Sequence, residues 1–325
     1  MSSTKISISL QSLLRCPICH SKLAFESENV ALCTNYRCGV GFPIVDGIPV
    51  IINEHNSIFS INDFTNHRNT TFNLHENTLF SFLGRVLPDI SINIRATENY
   101  KHFANLLLHY SSHPRILIVG GSIPGKGMHD IFANKAFELV ESDVSFGPRT
   151  TLICDAHDIP FEDEVFDGVV IQAVLEHVLD PYRCVAELHR VLKVNGIVYA
   201  ETPFMQQVHM GEYDYTRFTY LGHRRLFREF DELESGAVCG PGMALVWSYH
   251  YFMLSFTTSH IARAIVGAFT RLTGFYLKYF DYLLINKPGA LDAASGLFFM
   301  GLKAGNILSD RDLIKQYKGA QRRSP

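Results

Sequence analysis

Between Arg115 and Gly127 the chain reads Arg-Ile-Leu-Ile-Val-Gly-Gly-Ser-Ile-Pro-Gly-Lys-Gly, an aliphatic run that stops abruptly in glycines. A short continuous apolar run of this kind suits a strand buried on both faces. Glycine at its end lets backbone come close to a ligand, because no Cβ stands in the way and φ > 0 is open. Helix-compatible sequence follows from Met128. Strand, glycine loop and helix in that order predict a parallel sheet that meets its ligand at the strand C-termini.

The alternation continues downstream. Ala136 to Val140 is a second apolar stretch and ends at Glu141-Ser-Asp143. An acid at the tip of the second strand, past the glycines, suits the hydroxyls of an adenosine ribose; Asp143 is the first choice and Glu141 its rival. Thr151 to Cys154 reads as a third strand ending at Asp155, and Phe166 to Ile171 as a fourth running into Gln172. Tyr182 to Leu192 repeats apolar residues at helical spacing (Val185, Leu188, Val191, Leu192), with Asn195-Gly196 placed as a C-cap. Ile197 to Ala200 and Ser295 to Leu302 read as the fifth and the last strands. Only twelve positions separate Asp143 from Asp155, so that connection is expected to shrink to a turn at Phe146-Gly-Pro-Arg149.

Taken alone, the glycine loop admits several ligands. Gly120-x-x-x-x-Gly125-Lys126 copies most of a phosphate loop, but Gly127 stands where Ser or Thr would ligate Mg²⁺. As a dinucleotide fingerprint, Gly120-x-Ser122-x-x-Gly125 lacks its middle glycine. The linked motifs decide. Asp155-Ala-His-Asp-Ile-Pro-Phe161, Phe166-Asp-Gly-Val-Val-Ile-Gln-Ala-Val-Leu-Glu-His-Val-Leu-Asp-Pro181 and Glu187-Leu-His-Arg-Val-Leu-Lys-Val-Asn-Gly196 resemble those of class I S-adenosylmethionine (SAM)-dependent methyltransferases. The likeness runs from about Arg115 to Arg228 and is to the broad group acting on small molecules, sugars and lipids.

That resemblance implies an α/β fold, a Rossmann-like, seven-stranded, mostly parallel sheet with helices on both faces. It implies SAM as cofactor, with Gly120, Gly121 and Gly125 along its methionine part and Asp143 on the ribose. Asp155 and Ala156 would flank the adenine, Gln172 would lie under the cofactor, and His177 would face the transfer cleft. Two positions depart from the family pattern: Ile118 stands where an acid is usual and Ser122 where glycine is common.

After the fifth strand comes Gln207-Val-His209-Met-Gly-Glu-Tyr-Asp214-Tyr-Thr-Arg217-Phe-Thr-Tyr-Leu-Gly-His223-Arg224. Aromatic residues interleaved with His, Asp and Arg suit recognition of a polar acceptor. The stretch also resembles the segment of these methyltransferases that lies over the acceptor site. His209, Asp214 or His177 could take a proton from an attacking hydroxyl or amine. Asp214 and Arg217, three apart, could equally form a local ion pair that fixes the loop.

Near the start, Cys16-Pro-Ile-Cys19 is followed after thirteen residues by Cys33-Thr-Asn-Tyr-Arg-Cys38. Four thiolates from two turns can close a tetrahedron on Zn²⁺, leaving no open position for catalysis, so the site reads as structural. Gly41-Phe-Pro-Ile-Val-Asp-Gly-Ile-Pro-Val-Ile-Ile52 resembles the ending of short zinc-ribbon domains that accompany methyltransferases. The expected organisation is a ribbon at 1–53, linker and helical lead-in at 54–110, the methyltransferase domain at 111–305 and a polar tail at 306–325. Within the lead-in, Asn53 to Asn73 reads as linker or irregular surface, 79–87 is apolar, and Ala96 to Tyr110 has helical periodicity.

Lysines plus arginines number 29 against 32 acids, a formal charge of −3, which carries no strong nucleic-acid signal. The N-terminus lacks the apolar core of a secretory signal and no 18-residue apolar run occurs, so a cytoplasmic protein is expected. Tyr249 to Leu284 is apolar and aromatic, part of a helical insertion at 249–290 before the last strand. On an ideal helix His260, Arg263, Arg271 and Lys278 share one stripe. Such a stripe could rest on a membrane or hold a lipid-linked acceptor through 255–285; it could also be an ordinary solvated face. The functional expectation is methyl transfer to a hydroxyl or amine of a polar small molecule or glycan. The alternative is a noncatalytic scaffold that docks through its ribbon.

Overall fold

The computed structural model describes residues 4–68, 70–71 and 87–321; of the apolar stretch 79–87, all but Leu87 lies outside them. The chain begins with helix α1 (Ile8–Gln11) and a four-stranded antiparallel sheet, β1 (Leu23–Ala24), β2 (Val30–Cys33), β3 (Gly41–Val45) and β4 (Ile48–Pro49). Helices α2 (Ile61–Thr65) and α3 (Ala96–Tyr110) follow.

The main sheet is built from β5 (Arg115–Val119), β6 (Glu138–Asp143), β7 (Leu152–Ile153), β8 (Phe166–Gln172), β9 (Leu192–Pro203), β10 (Phe230–Cys239) and β11 (Gly296–Lys303). Its order is β10-β11-β9-β8-β5-β6-β7. The five strands from β9 to β7 run parallel, and β11 and β10 add antiparallel pairings at the other edge. This is the expected Rossmann-like, seven-stranded, mostly parallel sheet.

The two faces follow from strand alternation. Ile116, Ile118, Val170, Tyr199 and Met300 pack with Tyr100, Phe103 and Leu107 of α3 on one side. Leu117, Val119, Val169, Ile171 and Ala200 pack with Cys184, Val185, Leu188 and Val191 on the other. The latter four belong to α5 (Pro181–Val191), which comes after the short α4 (His129–Ala133). Helix α5 starts cleanly because Pro181 occupies its first turn and the Asp180 carboxylate accepts the N–H groups of Tyr182 and Arg183, both at 3.1 Å.

Between β6 and β7 the described chain forms no helix, only the turn around Phe146 to Arg149. Asn195-Gly196 is not a helix cap. The helix ends at Val191, β9 begins at once, and Asn195 bends the strand at φ 63° where its register against β8 slips.

The ribbon packs against the domain. Val50 pairs in parallel with Ile153 at the free edge of β7, with the Ile51 N–H donating to the Ile153 carbonyl at 2.9 Å. Leu14 and Phe42 share one core with Phe161 and Leu152.

Beyond β9 come α6 (Tyr220–Leu226), α7 (Pro241–Leu254), α8 (His260–Gly274), a 3₁₀ segment (Phe275–Phe280) and the short helices α9 (Asp281–Leu284) and α10 (Pro288–Asp292). The expected basic stripe does not survive. The helix changes to 3₁₀ pitch after Gly274, and Lys278 is buried, donating to the carbonyls of Asp89 and Ser91. The outward face of α8 is instead apolar: Ile261, Ile265, Phe269 and Leu272 are all more than half exposed.

Candidate active site and zinc cluster

Two cavities meet above the C-terminal ends of β5, β6, β8 and β9. The first, about 220 Å³, is lined by Gly120, Asp143, Asp155, Ala156 and His177, with Ile58, Phe59 and Arg183. The second, about 500 Å³, is lined by Gly120, Gly125, Gln172, His177 and His209, with Asn93, Glu176 and Glu201. Gly120, Ala173, His177 and Met210 belong to both walls.

Gly120 turns the chain at φ +76°, and a Cβ there would stand 2.3 Å from Val174 Cγ2. At Gly125 a Cβ would fall 1.6 Å from Gln172 Oε1, so these two residues fit only as a pair. Gly121 lines neither cavity; it packs against Glu141 on β6.

The two acids of β6 separate. Glu141 is buried and paired with Arg149, away from both cavities. Asp143 faces the first cavity and accepts the N–H groups of Ser122 and Ser145, each at 3.0 Å. Burial pushes its carboxyl above the usual range, and the hydrogen bonds from the serines work against that.

Asp155 accepts Ser57 Oγ–H at 2.5 Å and His157 Nδ1–H at 2.6 Å. His157 Nε2 in turn accepts the Asp180 N–H at 3.1 Å, which places the ring proton on Nδ1. Burial opposes ionisation of Asp155, but His157 beside it holds the carboxyl below its ordinary value. The segment after Asn53, expected as linker or surface, thus forms part of the wall: Asn56, Ile58 and Phe59 line the first cavity.

Of the residues expected around the acceptor, Asp214 and Arg217 lie in a separate shallow depression. They are bound to each other, with one Arg217 Nη2–Asp214 Oδ2 contact at 2.7 Å, and Arg217 also donates to the Gln206 and Gln207 carbonyls. Burial disfavours charge on Asp214, but Arg217 outweighs it and brings its pKa to about 2. The pair anchors the loop, and Asp214 orients His209 by accepting its backbone N–H at 2.9 Å.

His177 and His209 do come together, ring centroids 4.9 Å apart and edge to face. Glu176 joins them, fully buried, with a pKa that burial raises to about 8. Glu176 and Glu201, which no sequence motif singles out, are buried in the wall of the second cavity. Glu201 is buried and accepts Tyr199 O–H at 2.6 Å, Gln172 Nε2–H at 2.6 Å and Asn93 Nδ2–H at 2.9 Å. It fixes the side chain expected under the cofactor.

The four cysteines of the ribbon converge, all sulfurs within 4.8 Å of one another. Cys16 Sγ and Cys38 Sγ are 3.8 Å apart, and Cys19 Sγ and Cys33 Sγ 3.4 Å. Four thiolates at Zn–S distances of about 2.3 Å around a tetrahedral ion stand about 3.8 Å from each other. The donor set and its spacing fit a structural Zn²⁺.

Comparison with known proteins agrees. A family model described as "Methyltransferase domain" matches residues 130–200. A UPF0434 protein of Blochmanniella pennsylvanica (strain BPEN) is 44% identical over 43 residues, 13% of this chain and 76% of that protein. Among solved structures, a putative sarcosine dimethylglycine methyltransferase from Galdieria sulphuraria aligns over 70% of this chain and 98% of its own, at 13% identity and TM-score 0.44. Phosphoethanolamine N-methyltransferase 2 of Haemonchus contortus, in complex with phosphomonomethylethanolamine and S-adenosylhomocysteine, aligns over 63% and 52% at 16% identity and TM-score 0.41. With both TM-scores below 0.5, the acceptors of those proteins say nothing about this one. Through its four-cysteine module the chain belongs to the UPF0434 family, and the domain behind that module carries the match to the methyltransferase-domain family.

Proposed function

We propose that the chain moves the methyl group of SAM to a hydroxyl or amine of a polar acceptor, with adenosine in the smaller cavity and the acceptor in the larger. The junction of the two cavities at Gly120, Ala173 and His177 supports this reading, because the sulfonium methyl must cross there. Methyl transfer asks chiefly for in-line positioning in a closed site, so the walls matter more than any one reactive group. Titration calorimetry with SAM and S-adenosylhomocysteine tests it. Absence of heat from either at about 1 mM would leave the scaffold alternative, which Ile118 and Ser122 favour.

A lipid-borne acceptor is the second part of the proposal. Phe252, Phe256, Ile261, Ile265, Phe269, Leu272, Tyr282 and Leu283 form an apolar, aromatic outer surface beside Arg263, Arg271 and Lys287. Between Glu234 and Asp292 the sole acid is Asp281, which is buried. A face that is apolar, aromatic and free of exposed acid complements an anionic bilayer. Trp247 and Met243 of α7 connect it to Ser91 and Ile92 in the wall of the larger cavity. No described helix is long and apolar enough to cross a membrane, so the contact would be interfacial. Co-sedimentation with phosphatidylglycerol vesicles, lost in the I265D/F269D variant and weak with phosphatidylcholine, is the expected result. A dimer in solution that the same variant splits would overturn it.

A further inference from the structure

Two buried glutamates face the larger cavity, and they differ in their partners. Glu201 has three donors, whereas both carboxylate oxygens of Glu176 are buried with no hydrogen-bond partner among the described residues. Glu176 is 1% exposed. A carboxylate so placed is costly unless a cation meets it.

Two imidazoles face the same oxygen. His177 Nε2 is 3.6 Å from Glu176 Oε1, and His209 Nε2 is 3.9 Å from it. Each ring spends its other nitrogen on a carbonyl: His177 Nδ1 donates to Tyr213 O at 2.6 Å, and His209 Nδ1 to Gln207 O at 3.3 Å. In the neutral rings Nε2 therefore carries a lone pair and no proton, and both Nε2 atoms face the Glu176 carboxyl. That is the arrangement in which outer hydrogen bonds orient metal-ligating histidines. The backbone holds the glutamate in place, since the Glu176 carbonyl accepts the N–H groups of Tyr215 at 2.8 Å and Thr216 at 3.2 Å.

We infer that Glu176, His177 and His209 form a binding site for a first-row divalent cation in the wall of the acceptor cavity. Their ligand atoms lie within 4.8 Å of one another. Metal–ligand bonds of about 2.1 Å at roughly tetrahedral to right angles bring ligand atoms to about 3.0–3.5 Å, within a few tenths of an ångström of the 3.6 and 3.9 Å that separate Glu176 Oε1 from the two Nε2 atoms. Two imidazoles and a carboxylate suit Mn²⁺, Fe²⁺, Co²⁺ or Zn²⁺ better than Mg²⁺ or Ca²⁺. All three ligands line the cavity, so the remaining coordination positions face the acceptor. This use rests on the methyl-transfer reading: an acceptor hydroxyl bound to the cation gives up its proton to solvent more readily. Its oxygen then bonds the methyl carbon as the S–CH₃ bond breaks, leaving S-adenosylhomocysteine.

The test uses the full chain with its ribbon loaded with zinc, titrated with MnCl₂ in the absence of SAM while the free-ion EPR signal is followed. One Mn²⁺ per chain is expected, and both E176Q and H209N should weaken it at least 10-fold while a C239S control does not. No uptake at about 1 mM Mn²⁺, or equal uptake by the wild type and both variants, would overturn the site. SAM titration of the same samples separates the two proposals, since Mn²⁺ uptake without SAM binding would sink only methyl transfer. Unchanged circular dichroism of E176Q, whose side chain has the same shape, excludes misfolding as the cause of lost uptake.

Discussion

Asp143 accepts the backbone N–H of Ser122 at 3.0 Å, so the acid at the tip of β6 is tied to the glycine loop that follows β5. Ser122, which departs from the pattern of the family the sequence resembles, is thus bridged to the position expected to hold the ribose. Asp143→Ala should cost both the loop anchor and the ribose contact. Charge-assisted hydrogen bonds of about 1.5–3 kcal/mol translate into a SAM affinity roughly 10- to 100-fold weaker. Asp143→Asn, which keeps one acceptor oxygen, should fall between. Calorimetry with SAM decides, and equal affinity in wild type and D143A would remove Asp143 from the cofactor site.

Gly120 meets two demands at once, a left-handed φ of +76° and the closeness of Val174. Gly120→Ala should lower stability by about 1–2 kcal/mol for the backbone alone, with a further overpacking cost against Val174. The double variant G120A/V174A should recover the steric part and not the backbone part. Urea unfolding of the three variants checks it; full recovery in the double variant would show that φ was not limiting.

Much of the sheet was legible because buried parallel strands read as continuous aliphatic runs, as at Arg115–Val119 and Phe166–Gln172. Strand β10 was not, since Phe230-Asp-Glu-Leu-Glu-Ser-Gly-Ala-Val-Cys239 carries three acids on an edge and is held by antiparallel pairing to a strand some sixty positions later. Lys278 leaves the expected stripe because helical-wheel geometry assumes 100° per residue, which fails once the chain tightens to 3₁₀ pitch. In the site, the motif residues around Asp155 were readable as a linked set. The meeting of Glu176 with His209 was not. They lie 33 positions apart, and hydrogen bonds from Tyr215 and Thr216 to the Glu176 backbone hold the loop that follows His209 against the glutamate. No spacing rule encodes that.

His223 is fully buried beside Phe227, 5.2 Å between ring centroids, and its Nε2 has no partner among the described residues. Burial, aided by the neighbouring Arg224 charge, lowers its pKa to about 3. The folded value lies below the unfolded one of about 6.5, so between them only the unfolded chain takes up the proton. This contribution to stability is complete above about pH 6.5 and is lost as the pH falls, by up to about 1.4 kcal/mol per pH unit. His223→Phe should flatten that part of the acid limb in urea unfolding between about pH 4.5 and 7.5. Identical slopes for the two proteins would contradict the assignment.

Zinc should stabilise more than the ribbon. Strand β7 is two residues long at the edge of the main sheet, and its outer side is covered by Val50 and Ile51. On the same flank Arg15 N–H donates to Pro160 O at 2.9 Å and Glu162 N–H to Leu13 O at 3.1 Å, flanking Leu14 and Phe161, both fully buried. The chain leaving the ribbon then delivers Ser57 to Asp155 in the first cavity. Loss of the metal frees four sulfurs whose cradle has little apolar support of its own, and uncovers the β7 edge beside the first cavity. Cys16→Ser, or removal of zinc by a chelator, should lower the unfolding midpoint by at least about 5 °C and weaken SAM binding in parallel. The parallel is the informative part: a ribbon that only docks elsewhere would lose its own structure and leave SAM affinity untouched. Calorimetry on zinc-loaded and zinc-stripped protein, with zinc restored as the control for reversibility, separates the two outcomes.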